Sequence, residues 1–93
     1  MKLVWTRPAR IDRKEIYEYI AQENVIAAQN LDETFAKKAA SLPNHPDMGR
    51  PGRIVGTREL VVHRNYVLIY AVTGDTVGIL RLLHTARQWP PKL

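Results

Sequence analysis

From Tyr66 to Val72 the chain reads Tyr-Val-Leu-Ile-Tyr-Ala-Val, a run with no charged residue and no polar alternation. A run of that length, rich in β-branched and aromatic side chains, is a strand covered on both faces, and therefore lies inside a sheet. Turn signals bracket it: Arg64-Asn65 before and Gly74-Asp75 after. Beyond them lie Arg58 to His63, rich in β-branched residues, and Thr76 to His84, apolar except for one embedded Arg81. Together these segments predict a three-stranded antiparallel meander within Gly56 to Pro90, with 66–72 at its centre. Strict alternation places Arg81 on the side of Val77, Ile79 and Leu83, and His84 on the side of Leu80 and Leu82. Charge must then reach the sheet surface near one end. Arg87 follows shortly before the stop signal Pro90-Pro91.

The residues before the meander predict one further strand and two helices. Lys2 to Thr6 is short, apolar and β-prone, which reads as an edge strand. Thr6 then caps a helix whose first turn tolerates Pro8, because a proline there lacks only an N–H that has no intrahelical partner. That helix runs to about Asn24. Ile11, Ile16, Tyr17, Tyr19 and Ile20 form its sheet-facing stripe, while Arg13, Lys14, Glu18 and Gln22 look outward. A second helix starts at Val25 or Ile26 with Ala28, Leu31, Phe35 and Leu42 on one face and Lys37-Lys38 near its C-terminal end, where cations suit the helix dipole. Pro43 ends it. The short connection makes the pair an antiparallel hairpin, and Leu42 to Arg53, with three prolines and two glycines, reads as a loop.

The resulting fold class is α+β: an N-terminal strand, a helical hairpin across one sheet face, then the meander, with the first strand at an edge or beside the last. Residues 1–93 form one domain. Phe35, Leu31, Ile16, Ile20, Leu68 and Leu80 are expected to pack together. The opposite sheet face is expected to lack cover and to expose apolar area that marks a partner site. Trp89 is expected to lie back on the sheet or the helices.

Charge narrows the partner. Residues 1–49 hold equal numbers of Lys/Arg and Asp/Glu, whereas residues 50–93 hold Arg50, Arg53, Arg58, Arg64, Arg81, Arg87 and Lys92 against Glu59 and Asp75, which accounts for the whole net charge of +5. Six of those seven cations are arginine, the side chain suited to bidentate pairing with phosphate or carboxylate. An anionic partner follows, either nucleic acid or an acidic protein segment. The chain has no cysteine, no apolar stretch long enough for a signal core or a membrane span, and no paired spacing among His45, His63 and His84, so a cytoplasmic protein without membrane contact, metal or cofactor is expected. No phosphate-binding glycine loop, nucleophile elbow or paired-carboxylate motif is present.

The pieces IYEYIA, LPNHPDMGRPGR, GTRELVV, NYVLIYAV and ILRLLHTARQWP, taken in this order, resemble the RelE/ParE toxins of type II toxin–antitoxin modules, and within them the ParE-like branch, over nearly the whole chain. The resemblance implies a plasmid-stabilisation role and a cognate antitoxin, acidic and disordered until it wraps over the toxin, with operator DNA contacted only through that antitoxin. It leaves the antitoxin-binding residues unassigned. ParE-like members poison DNA gyrase without catalysis, the favoured activity here; RelE-like members are ribosome-dependent mRNA endoribonucleases, the alternative, whose partners are ribosome and mRNA. For the ribonuclease, the matching catalytic candidates are Arg58, His84 and Arg87. A tyrosine after His84 is missing, and Asp47 is the only acidic residue in the loop before the meander. For target binding, the candidates are Arg53, Arg58, Arg81 and Arg87.

Overall fold

The computed structural model describes residues 1–87, 89 and 90; Lys92 and the second proline of the Pro90-Pro91 stop lie outside them. In chain order the elements are β1 (Lys2–Trp5), α1 (Arg7–Ala21), α2 (Val25–Ser41), β2 (Arg50–Pro51), β3 (Thr57–His63), β4 (Tyr66–Thr73) and β5 (Thr76–His84). They form one sheet in the order β1-β5-β4-β3-β2, so the apolar run of β4 occupies its middle. Both turns of the meander fall where the sequence places them. Gly74 supplies the left-handed φ of +59° that the tight β4–β5 hairpin needs.

Two features of the sheet differ from the expectation. β1 pairs with β5 in parallel, Lys2 opposite Thr76 through Trp5 opposite Ile79, which makes the sheet mixed. The helical hairpin, β2 and the first two strands of the meander intervene between them, long enough for a parallel connection. The loop after α2 also contains the two-residue β2, with Arg50 opposite Glu59 and Pro51 opposite Arg58. Proline is tolerated there because β2 is an edge strand.

The helices form where capping and periodicity direct. The Thr6 hydroxyl accepts the Ala9 N–H at 3.4 Å and begins α1. Asn24 ends the inter-helix turn and caps α2 by accepting the Ala27 N–H at 2.9 Å; such caps are each worth about 1 kcal/mol. The core packs Ala9, Phe35, Ala39 and Leu42 of the helical layer on Leu60, Val62, Leu68, Tyr70, Val77, Ile79 and Leu82 of the sheet. Ile16 and Leu31 pack partly buried against it. Tyr19 and Ile11 do not join the stripe: Tyr19 is 74% exposed and Ile11 is also exposed. Arg13 does not look outward. It forks onto Asp32 of α2 at 2.6 and 2.9 Å and lies 4.8 Å from the centre of the Trp5 ring, tying the two helices and β1 together.

Simple alternation fails in β5. Ile69 lies opposite Arg81 but Tyr70 lies opposite Ile79, so Leu80 is an unpaired bulge residue. Val77 and Ile79 therefore face the helices, the facing set resumes at Leu82, and Arg81 and Leu83 turn to the other face. This corrects both the side assigned to Arg81 and the place of Leu80 in the core. That other face is also less bare than expected: Ile69 and Leu83 on it are 1% and 2% exposed. Trp89 folds back beside them, as the sequence predicts, and lines a hollow with Arg50, Arg53 and Arg87. The exposed apolar area of the face is left to its margins, at Val61 and Val4.

Candidate functional site

β1 ends at Trp5, so the edge of β5 beyond Ile79 meets α1 directly. The Thr6 hydroxyl contacts the Ile79 and Leu80 carbonyls at 2.8 and 3.1 Å, an orientation in which it donates to this edge. Further along, Asp12 of α1 is buried and accepts three hydrogen bonds: the Leu82 N–H at 3.0 Å and the Arg81 fork at 2.7 and 2.9 Å. This hydrogen bonding, more than the accompanying charge attraction, holds the Arg81 proton more tightly than in an ordinary arginine, against the opposing effect of burial. Arg81 is thus committed to the fold. Its guanidinium also lies 5.6 Å from the Trp89 ring centre.

Between α1 and the end of β5 opens a groove of about 570 Å³ lined by Asp12, Glu15, Ile16, Tyr19, Tyr66, Leu82, Leu83, His84 and Arg87. His84 is exposed, and its Nδ1 accepts the Ala86 N–H at 3.0 Å, which directs Nε2 as the remaining ring nitrogen. Tyr66 stands edge-on to His84 on one side and to Phe35 on the other, at 5.4 Å in both cases. Burial raises the Tyr66 phenol above its ordinary pKa, and the nearby Tyr19 adds to the effect. At the rim, the Arg87 N–H closes a turn onto the His84 carbonyl at 2.9 Å.

Arg58 is elsewhere. It pairs across the sheet with Tyr70, whereas His84 pairs with Tyr66, four positions away on β4. At about 3.3 Å per residue, that separates the two levels by about 13 Å along the strand. Arg58 donates to the Gly49 carbonyl at 2.7 Å and lies 3.7 Å from Asp47. Tyr70 beside it accepts the Gly49 N–H at 2.8 Å and donates to the Pro46 carbonyl at 2.7 Å. The two side chains latch the loop before β2. Gly49 is required by this approach, since a Cβ there would stand 2.7 Å from the Tyr70 ring and 2.9 Å from the Glu59 carbonyl.

The sequence candidates therefore divide among four places. His84 and Arg87 meet at the groove; Arg53 and Arg87 meet at the outer sheet face, where Arg53 reaches the Trp89 carbonyl at 3.4 Å; Arg58 is engaged at the loop before β2 and Arg81 at Asp12. Glu15, Tyr19 and Tyr66 of the groove and Arg50 of the outer face are not among the sequence candidates. Tyr66 and Arg50 are within reach of sequence reasoning, because register across the meander puts Tyr66 opposite His84 and Arg50 follows the same loop as Arg53. Glu15 and Tyr19 depend on how α1 docks beside β5, which no local pattern encodes.

Residues 3–89 match the family model described as ParE toxin of type II toxin-antitoxin system, parDE. The chain is 36% identical over 93 residues to the protein Y4kP of Sinorhizobium fredii, covering 99% of this chain and 96% of that one. It is 38% identical over 86 residues to Toxin RelE2 of Caulobacter vibrioides, covering 92% and 97%. Among solved structures, a chain of the chromosomal ParDE TA system from P. aeruginosa superposes with a TM-score of 0.80 at 27% identity, covering 90% of this chain and 95% of that one. The chain belongs to the ParE toxin family of type II toxin–antitoxin systems, within the RelE/ParE superfamily. Among the described residues, no helix is long and apolar enough to cross a membrane.

Proposed function

We propose that this toxin inhibits DNA gyrase by binding to it, and that an acidic antitoxin holds it inactive until released. The observation that carries the choice of binding over catalysis is the separation of Arg58 from the other two ribonuclease candidates, His84 and Arg87, which meet at the groove. Acid–base catalysis needs its groups within hydrogen-bond reach of the same reacting atoms, yet Arg58 and His84 lie at levels about 13 Å apart along the strands. Arg58 is turned to the loop before β2, where it donates to the Gly49 carbonyl and lies 3.7 Å from Asp47. His84 has one ring nitrogen occupied by the Ala86 N–H. What remains on the surface is shape and charge: the groove beside α1, and Arg53 and Arg87.

The antitoxin reading rests on the cation excess of residues 50–93, which an acidic segment complements. It is supported by the likeness to the P. aeruginosa chain, which belongs to a ParDE pair.

The test adds purified toxin to two reconstituted systems, gyrase with supercoilable plasmid and translating ribosomes with a defined message. Linearised plasmid or lost supercoiling with intact message is the expected result, tolerant of His84→Gln. Cleavage of message with unaffected gyrase, abolished by His84→Gln, would replace this reading with the endoribonuclease one.

A further inference from the structure

The turn between β2 and β3 carries a side chain that its own geometry does not call for. The Thr57 N–H closes the turn onto the Ile54 carbonyl at 3.0 Å, and Gly56, third of the four residues, takes a φ of +87°. That is a type II turn, whose second position favours proline and whose tip is ordinarily polar or small. Val55 stands there instead, 99% exposed, with Ile54 beside it at 40%. Single apolar residues scattered over a surface are ordinary. Two of them side by side at the apex of a turn contribute nothing to this core, so their contribution lies outside the chain.

The apex is also held in place. Besides the turn bond, the Thr57 hydroxyl donates to the Ile54 carbonyl at 2.6 Å, and the Gly52 N–H donates to the Thr57 carbonyl at 2.8 Å, which closes the hairpin below the tip. A side chain on a braced turn gives up little freedom on binding, which is how preorganised anchors gain affinity. Cations flank it: Arg53 directly precedes Ile54, and Arg50 lies across from Glu59, the acid it pairs with at 3.3 Å. By register, Thr57 lies opposite Ala71 whereas His84 lies opposite Tyr66, so the tip stands at the other end of the sheet from the groove.

We infer that Val55 and Ile54 form a convex anchor that inserts into an apolar pocket on the toxin's protein target, with carboxylates on the pocket's rim facing Arg53 and Arg50. A protruding apolar tip fits a recessed apolar seat, and the flanking guanidiniums select an acidic rim around it. The inference rests on the reading of this toxin as a binding inhibitor and adds to it the residues that grip the target.

The experiment measures how much full-length toxin half-inhibits supercoiling by gyrase and, alongside, the growth arrest that follows its induction in a bacterial host without antitoxin. Val55→Asp should need about tenfold more toxin, the order expected for one buried valine, and should lose growth arrest at matched protein level. Its melting temperature should equal that of the wild type, because Val55 stands almost wholly in solvent. Ile26→Asp puts the same charge on an apolar position of α2 that is 65% exposed, and should stay within twofold of the wild type. Arg53→Glu should inhibit less well than Arg53→Ala, because an acidic rim repels it. The two readings fail separately: gyrase untouched by the wild type, with a growth arrest that needs Val55, ends the gyrase reading and keeps the anchor for another protein. The anchor is overturned if Val55→Asp arrests growth as the wild type does, if Val55→Asp and Ile26→Asp are weakened equally, or if Arg53→Glu inhibits no worse than Arg53→Ala. It is also overturned if the wild type neither inhibits gyrase nor arrests growth.

Discussion

At the scale of single residues, Asp12 serves two elements at once. It satisfies the Leu82 N–H on the β5 edge that β1 is too short to cover, and it neutralises Arg81 where that strand changes face. Removing one member of a buried pair strands the other, at a cost of about 3–5 kcal/mol. Arg81 keeps some solvent exposure, so Asp12→Ala is expected at the low end, about 3 kcal/mol, by urea unfolding. Asp12→Asn, which keeps an acceptor for Leu82, should lose less; equal losses would mean that charge alone matters at this position. Tyr66 gives a pH-dependent test. Its folded pKa is raised above 10.0, first by burial and then by Tyr19, so the folded state holds the proton longer than the unfolded chain. The resulting stability is complete below about pH 10 and is lost as pH rises through the folded value. Tyr66→Phe keeps the ring but not the titration, and its stability should decline less steeply above pH 10 in thermal melts.

At the scale of elements, Phe35 joins α2 to the middle of the sheet, fully buried and edge-on to Tyr66. Phe35→Ala should cost about 3–5 kcal/mol, and toxicity should disappear with the fold; an unchanged melting temperature would contradict this packing. The loop before β2 offers a finer test. Tyr70→Phe removes the hydroxyl that holds both Gly49 and Pro46, and should cost about 1–3 kcal/mol by leaving buried groups unpaired. Gly49→Ala should cost at least as much through its clash with the Tyr70 ring, whereas Gly49→Ala with Tyr70→Phe should show less than additive loss in chemical denaturation. Most elements were legible in the sequence because their signals are local. Thr6 and Asn24 are caps, Gly74 is a turn residue, and the unbroken apolar run of β4 admits only a central strand. The parallel pairing of β1, the short β2 and the committed roles of Arg13, Arg58 and Arg81 were not legible. Each depends on which distant side chain arrives: Asp32 for Arg13, Gly49 for Arg58, Asp12 for Arg81.

At the scale of the whole molecule, charge is sorted by the fold in a way that composition hides. Two acids of the first half, Asp12 and Asp32, are consumed in forked pairs with Arg81 and Arg13, while Arg53 and Arg87 remain available on the surface. An acidic antitoxin should therefore bind tightly with a clear salt dependence: isothermal titration with the neighbouring gene product should show affinity falling between 50 and 200 mM salt. Lack of measurable binding at the lower salt would exclude that product as the antitoxin. The bulge at Leu80 has a consequence of a different kind for inheritance. A point substitution near it changes one side chain, but loss of a single codon between Ile79 and Arg81 would bring the two halves of β5 into phase. Ile79 opposite Tyr70, Arg81 opposite Ile69 and Leu82 opposite Leu68 would then follow one another without a break, each on the face it already holds, and Asp12 would keep its fork. The gene can be shortened at that codon, whereas a codon lost at a paired position would turn the following side chains over.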